Sequence, residues 1–270
     1  MRNALRTPSD AALHAGGRVT LAGAGPGDPE LLTIKAIQAM QTADVILFDA
    51  LVSEEILVFA RSTAKRMLVG KRGHRPSCRQ EDINALMLKL ARQGKHVVRL
   101  KSGDASLFGR SGEEIACLSA AGIPVTVVPG ITSASAMAAS LKCSLTHRDQ
   151  AQSVRFVTGH AKNGALPDDL DWAGLASSKT TLVIYMGART GASMAKRLIN
   201  EGMAGDLPCV VAISVSRPSE ELRWGTLAAL ASGELTSISD DPVLIGIGNV
   251  FAAAEAACAT EAFRAVGCGP

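Results

Sequence analysis

Residues 19–32, VTLAGAGPGDPELL, set three glycines, two prolines and two acids between an apolar run and a helical pattern. Gly23, Gly25 and Gly27 allow a tight turn and let a ligand approach the main chain where any side chain would obstruct it. The third glycine follows the second by two residues, one short of the dinucleotide fingerprint, and Asp28 puts negative charge where a pyrophosphate would lie. Such a turn suits a neutral or cationic ligand. A second glycine loop, SGDASLFGR at 102–110, carries Asp104 and Arg110, with Glu113 three residues further on. Asp49 closes the apolar run DVILFD, at a strand end of the kind where open parallel sheets bind ligands; it reads as a loop acid or as the ribose-binding acid of a nucleotide fold.

Charge is unevenly spread. The net charge is only +3, yet seven Lys or Arg and no Asp or Glu fall between Arg61 and Arg79. The stretch GKRGHRPSC runs off a strand end, so it is either a solvated face or a contact for a polyanion. It holds no aromatic residue on which a base could stack, which argues against nucleic acid as the partner. Six scattered cysteines make no Cys-x-x-Cys pair, so neither a metal site nor a disulfide framework is expected. The first 17 residues lack the apolar run of a signal peptide, and no later segment reads as a membrane span. A cytoplasmic protein is expected.

The elements that must position these residues follow from composition and period. With 47% hydrophobic but 3% aromatic residues, the core must be aliphatic, which suits helices covering a parallel sheet. Five strand–helix alternations open the chain, with strands at 19–21, 44–49, 66–70, 95–101 and 124–128. Asp28-Pro29-Glu30 predicts a helix start; Ser77-x-x-Gln80 and Ser111-x-x-Glu114 have the spacing of capping boxes. A small-residue-rich connection at 133–152 marks a boundary. Beyond it come strands at 153–158, 180–186, 209–215 and 243–248, a helix at 190–201, and an antiparallel piece, ELRWGTL. The expected class is α/β: a tail at 1–17, a mainly parallel domain at 18–135, a mixed-sheet domain at 136–250, and a helix or tail at 251–270.

Taken in order, GAGPGDPELLT, ADVILFDALVS, VGKRGH, QEDINALM, VVRLKSGD, FGRSGEE, GIPVTVVPGITSAS, LTHRDQAQSVRFVTGH and TLVIYMG resemble the uroporphyrinogen-III C-methyltransferases. These belong to the tetrapyrrole methylase family and use S-adenosylmethionine. The resemblance implies two α/β domains with the active site in the cleft between them, and a homodimer. It implies methylation of uroporphyrinogen III, a tetrapyrrole with eight carboxylates, at carbons 2 and 7, giving precorrin-2 via precorrin-1 and S-adenosylhomocysteine as co-product. Because GAGPG begins near residue 23, methylation without a preceding dehydrogenase and chelatase module is expected.

Carried over by position, the resemblance places the cofactor on Pro26, Ser102, Gly103, Asp104, Leu107, Thr132, Ser133, Met186 and Gly225. Asp49 would accept the macrocycle proton and Lys71 would donate one, with Arg110 and Glu113 as a competing arrangement. Substrate carboxylates would meet Arg72, Arg110, His147, Arg148 and His160, the arginines bidentately. Ser102 stands where the family commonly has glycine, and Ala105-Ser106 where it has Pro-Phe. Other readings are a corrin-ring methylase of the same family, a nicotinamide oxidoreductase with Asp49 on a ribose, and a polyanion-binding module.

Overall fold

The computed structural model describes residues 16–70, 78–161, 165–167, 169–235 and 241–255. Two compact units divide them: the described residues of Met1–Ala24 and Leu32–Gly130, and those of Gly25–Leu31 and Ile131–Pro270.

In the first unit five strands, β1 (Arg18–Gly23), β2 (Val45–Phe48), β3 (Lys65–Leu68), β4 (His96–Lys101) and β5 (Val125–Val128), form one sheet in the order β3-β2-β4-β1-β5. Every pairing is parallel, so each connection must cross over. The crossovers contain helices α1 (Ile34–Thr42), α2 (Glu54–Leu57), α3 (Gln80–Arg92) and α4 (Ser111–Ala120). Strand alternation divides the core in two. Ala22, Ile46, Val98 and Leu100 pack with Ala36, Met40 and Ile56 on one face, and Val19, Leu21, Leu47 and Val97 with Ile83, Met87 and Leu118 on the other. Parallel pairing also gathers the carboxyl ends of the strands at one edge, from which Gly23, Asp49, Ser102 and Pro129 lead.

Two local expectations are corrected here. Asp28 starts only a 3-10 turn at Pro29–Leu31, with its Oδ1 accepting Glu30 N–H at 2.8 Å. The α-helix begins at Ile34, capped by Thr33, whose hydroxyl accepts Ala36 N–H. Ser111-x-x-Glu114 is not a capping box: Arg110 is the N-cap residue and makes no side-chain cap. The Ser111 hydroxyl instead donates to Ala105 C=O, and Glu114 is wholly buried. Ser77 of the other box lies outside the described residues.

The second unit has strands β6 (Ser153–Thr158), β7 (Thr180–Tyr185), β8 (Pro208–Ile213), β9 (Glu221–Thr226) and β10 (Val243–Ile247), ordered β6-β7-β10-β8-β9. Only β6–β7 is parallel, which makes the sheet mixed. Helices α6 (Trp172–Leu175), α7 (Gly191–Asn200) and α8 (Leu227–Ser232) cover one face, and α5 (Ser133–Ser140) the other. The chain divides after Gly130 rather than at 135, because Ala134, Ala136 and Met137 of α5 pack against Val183, Val210 and Leu244 of this sheet. Leu31 joins the same cluster, which draws the Gly25–Leu31 segment into the second unit. Residues 250–255 are helical; the rest of the expected 251–270 element, and nearly all of the 1–17 tail, lie outside the described residues. No helix among the described residues is long and apolar enough to cross a membrane.

Candidate active site

In the first unit, main-chain atoms from three strand ends converge. A Cβ at Gly130 would stand 2.3 Å from Gly103 O and 2.8 Å from Gly23 Cα; one at Gly23 would stand 2.6 Å from Gly130 N. Only glycine permits that approach. Asp104 locks it: Oδ2 accepts Gly130 N–H at 2.9 Å and Oδ1 accepts Ser106 N–H at 2.7 Å. Both carboxylate oxygens therefore shape the loop that carries Ser102, Gly103 and Leu107. Residues 102–109 contain no cation. Lys101, just before them, is turned inward onto Glu114 at 2.7 Å.

Asp49 leaves the end of β2. Its Oδ1 accepts Leu51 N–H at 3.0 Å, and its side chain keeps 25% of its surface exposed. Arg110 and Glu113, proposed as an alternative acid–base pair, are joined to each other. Arg110 Nε and Nη2 donate to the two Glu113 oxygens at 2.7 and 2.6 Å, with both side chains about half exposed. That bidentate pair raises the Arg110 pKa, so this guanidinium is a fixed cation and a poor proton acceptor. Lys71 and Arg72 lie outside the described residues.

In the second unit, Thr132, Ser133, Met186 and His160 gather near the carboxyl ends of β6 and β7. Thr132 Oγ1 lies 2.5 Å from the Tyr185 hydroxyl, which also accepts Ala134 N–H at 3.2 Å. Met186 follows directly, 42% exposed and with φ of 57°. A non-glycine residue held left-handed costs on the order of 1 kcal/mol, a strain that clusters at functional sites. Gly159, next to His160, packs against Gly187 and Met186 O; His160 N–H donates to Thr158 Oγ1 at 3.2 Å. The loop that holds Pro26 is tied to the turn after β8: Asp28 N–H donates to Ser216 Oγ at 3.2 Å, and Ser216 N–H to Glu220 Oε2 at 2.5 Å. Arg217 covers Gly27, whose φ of 154° and lack of space both exclude a side chain.

Gly225 is not brought to this group. It pairs with Cys209, which pairs with Ile247 and through it Leu182, whereas Tyr185 pairs with Leu244. Three register steps, about 10 Å along the strands, separate the two positions. His147 closes a small loop by exchanging backbone bonds with Ala151, and its Nδ1 accepts Asp149 N–H at 3.2 Å; Arg148 is exposed in that loop.

Sequence reasoning missed Tyr185, the Ser214–Glu220 turn, and the buried charges Arg99, Lys101 and Glu114. The one readable sign of the last was two cations alternating with apolar residues in VVRLK.

A family model for tetrapyrrole (corrin/porphyrin) methylases matches residues 18–231. The siroheme synthase of Neisseria meningitidis serogroup C (strain 053442) is 51% identical over 237 residues, 88% of this chain and 48% of that protein. That of Escherichia coli O139:H28 is 48% identical over 234 residues, 87% of this chain and 50% of that protein. The chain thus spans about half the length of the curated relatives it matches. Among solved structures, a uroporphyrin-III C-methyl transferase from Thermus thermophilus complexed with S-adenyl homocysteine superposes with a TM-score of 0.75. It is 39% identical, covering 87% of this chain and 98% of that one. A cobalt precorrin-4 methyltransferase gives 0.74 at 28% identity, covering 87% and 95%.

Proposed function

The chain belongs to the tetrapyrrole (corrin/porphyrin) methylase family, and from that premise we propose that it methylates uroporphyrinogen III at carbons 2 and 7, giving precorrin-2 via precorrin-1. S-adenosylmethionine supplies the electrophilic methyl group and leaves as S-adenosylhomocysteine. The observation that carries this reading is the convergence of the Gly23, Gly103 and Gly130 main chains beside a cation-free loop fixed by Asp104. Backbone groups without a cation suit a sulfonium and its nucleoside. A nicotinamide dinucleotide would need a helix N-terminus directly after the glycine turn. Here a 3-10 turn intervenes, and α1 is already capped by its own Thr33.

Ser102, Gly103, Asp104 and Leu107 of the first unit, with Pro26, Thr132, Ser133 and Met186 of the second, are the proposed cofactor residues. Met186 offers a soft thioether for packing. Gly225 is left out because of its register. Asp49 is the proposed proton acceptor: attack of the ring carbon on the methyl group leaves the macrocycle positively charged, and a proton lost from elsewhere on the macrocycle passes to the carboxylate while its bonding electron pair stays behind and restores neutrality. Arg110, Arg148, His147 and His160 are proposed for the substrate carboxylates, with Lys71 and Arg72 from the segment outside the described residues. A homodimer is part of the proposal. A single-chain mass by light scattering in an active preparation would contradict that part.

Calorimetry tests the cofactor assignment. S-adenosylhomocysteine should bind and NAD should not; NAD binding without S-adenosylhomocysteine binding would overturn it.

A further inference from the structure

Three charged side chains that the proposed reaction does not use lie buried together in the first unit. Arg99 and Lys101 project from the face of β4 that α3 and α4 cover, 7% and 4% exposed, and Glu114 of α4 is fully buried. Lys101 Nζ donates to Glu114 Oε2 at 2.7 Å; Arg99 Nε and Gln80 Nε2 approach Glu114 Oε1 at 3.4 and 3.1 Å. Arg99 Nη1 donates to Leu100 C=O at 2.9 Å and lies 3.4 Å from Leu47 C=O. Its other terminus, Nη2, lies 3.9 Å from Asp49 Oδ2.

Removing these ions from water costs several kcal/mol each even after relaxation, and apolar residues of the same volume would fill the space without that cost. The cluster also fails to balance by itself, having two cations against one carboxylate. Asp49 is the group that completes it. Burial pushes the Lys101 ammonium down, Glu114 chiefly draws it back up, and Asp49 contributes in the same sense. Asp49 is held on its other sides too. Leu51 N–H engages Oδ1, and Gly70 comes so close that a Cβ there would stand 3.1 Å from the Asp49 Cβ and 2.8 Å from Ala50 N.

We propose that Arg99 is a positioning residue for Asp49: anchored by the buried Glu114–Lys101 pair, its guanidinium holds the Asp49 carboxylate in one orientation through turnover. The inference rests on Asp49 being the proton acceptor. A merely structural Arg99 would cost the same with or without that carboxylate, so a double-mutant cycle separates the two.

Single-turnover rates are measured for the wild type, Arg99→Met, Asp49→Asn and the double variant, with S-adenosylhomocysteine affinity, substrate KM and melting temperature alongside. Methionine keeps the bulk and leaves Glu114 paired with Lys101. Arg99→Met should lower the rate about tenfold while affinity and KM stay within about twofold, and its further cost in Asp49→Asn should be under about twofold. Equal factors in both backgrounds, or an unchanged rate in Arg99→Met, would overturn the inference alone. Absence of methyl transfer by the wild type would overturn the functional reading and the inference with it. If Arg99→Met does not fold, Arg99→Gln replaces it under the same criterion; if neither folds, Arg99 is structural and the inference is wrong.

Discussion

The Tyr185 hydroxyl lies 2.5 Å from Thr132 Oγ1 and accepts Ala134 N–H, so one phenol at the end of β7 fixes the start of α5. Thr132 occupies the N-cap position of that helix without capping it, its hydroxyl being engaged by Tyr185. Tyr185→Phe should therefore loosen the Thr132–Ser133 segment and weaken S-adenosylhomocysteine binding. Two lost hydrogen bonds at about 0.5 to 1.5 kcal/mol each correspond to a loss of roughly five- to a hundredfold in affinity. An unchanged dissociation constant by calorimetry would remove Thr132 and Ser133 from the cofactor residues.

Asp104→Ala takes away the acceptor for two backbone N–H groups, those of Gly130 and Ser106. Cofactor affinity should fall at least about tenfold, and stability by about 1 to 3 kcal/mol, because Gly130 N–H is left without its partner. Asp104→Asn retains one acceptor oxygen and should fall between Asp104→Ala and the wild type in both measurements.

Gly130→Ala places a methyl group 2.3 Å from the Gly103 carbonyl. Main-chain atoms cannot yield as a flexible side chain does, so the loop must move. A loss of more than about 2 kcal/mol in thermal or denaturant unfolding is expected. Gly112→Ala, with open space around its Cβ, is the control and should not destabilise.

His96 supplies a pH dependence. Its Nε2 lies 3.0 Å from the Thr20 hydroxyl, and its Nδ1 lies 3.0 Å from Thr42 C=O and 3.1 Å from Arg18 Nη2. Burial lowers its pKa; the Thr42 carbonyl and Asp44 oppose the shift, while Arg18 and Arg61 add to it. A lowered folded-state pKa means that the unfolded chain binds the proton more readily, so stability falls as pH drops through the ordinary value of 6.5. Asp44 is lowered chiefly by His96 N–H, and its contribution is lost only below about its ordinary value of 3.8. Melting temperatures from pH 7.5 to 5 should decline in the wild type and decline less in His96→Gln.

The parallel sheet of the first unit was legible because its strands are short, largely aliphatic runs that end at a glycine, a charge or, for β5, Pro129, at crossover spacing. Helix α5 was not: SASAMAAS has small residues on all sides, and its identity as a helix comes from packing on the second sheet. Glu114 looked like part of a capping box because local spacing cannot reveal cations on a strand 13 and 15 residues earlier. Asp49 was readable as a site residue from its strand end, yet its neighbour Arg99 comes from a strand some 50 residues away. Gly225 was misplaced relative to Met186 for a related reason, since register across three successive antiparallel pairings is not encoded within β9 itself.

Methylation of uroporphyrinogen III is decided by incubating the protein with that substrate and isotopically labelled S-adenosylmethionine under anaerobic conditions, then weighing the tetrapyrrole by mass spectrometry. A transient species with one labelled methyl group and a final product with two are expected. Unmodified uroporphyrinogen, in a preparation that binds S-adenosylhomocysteine, would contradict the proposed methylation.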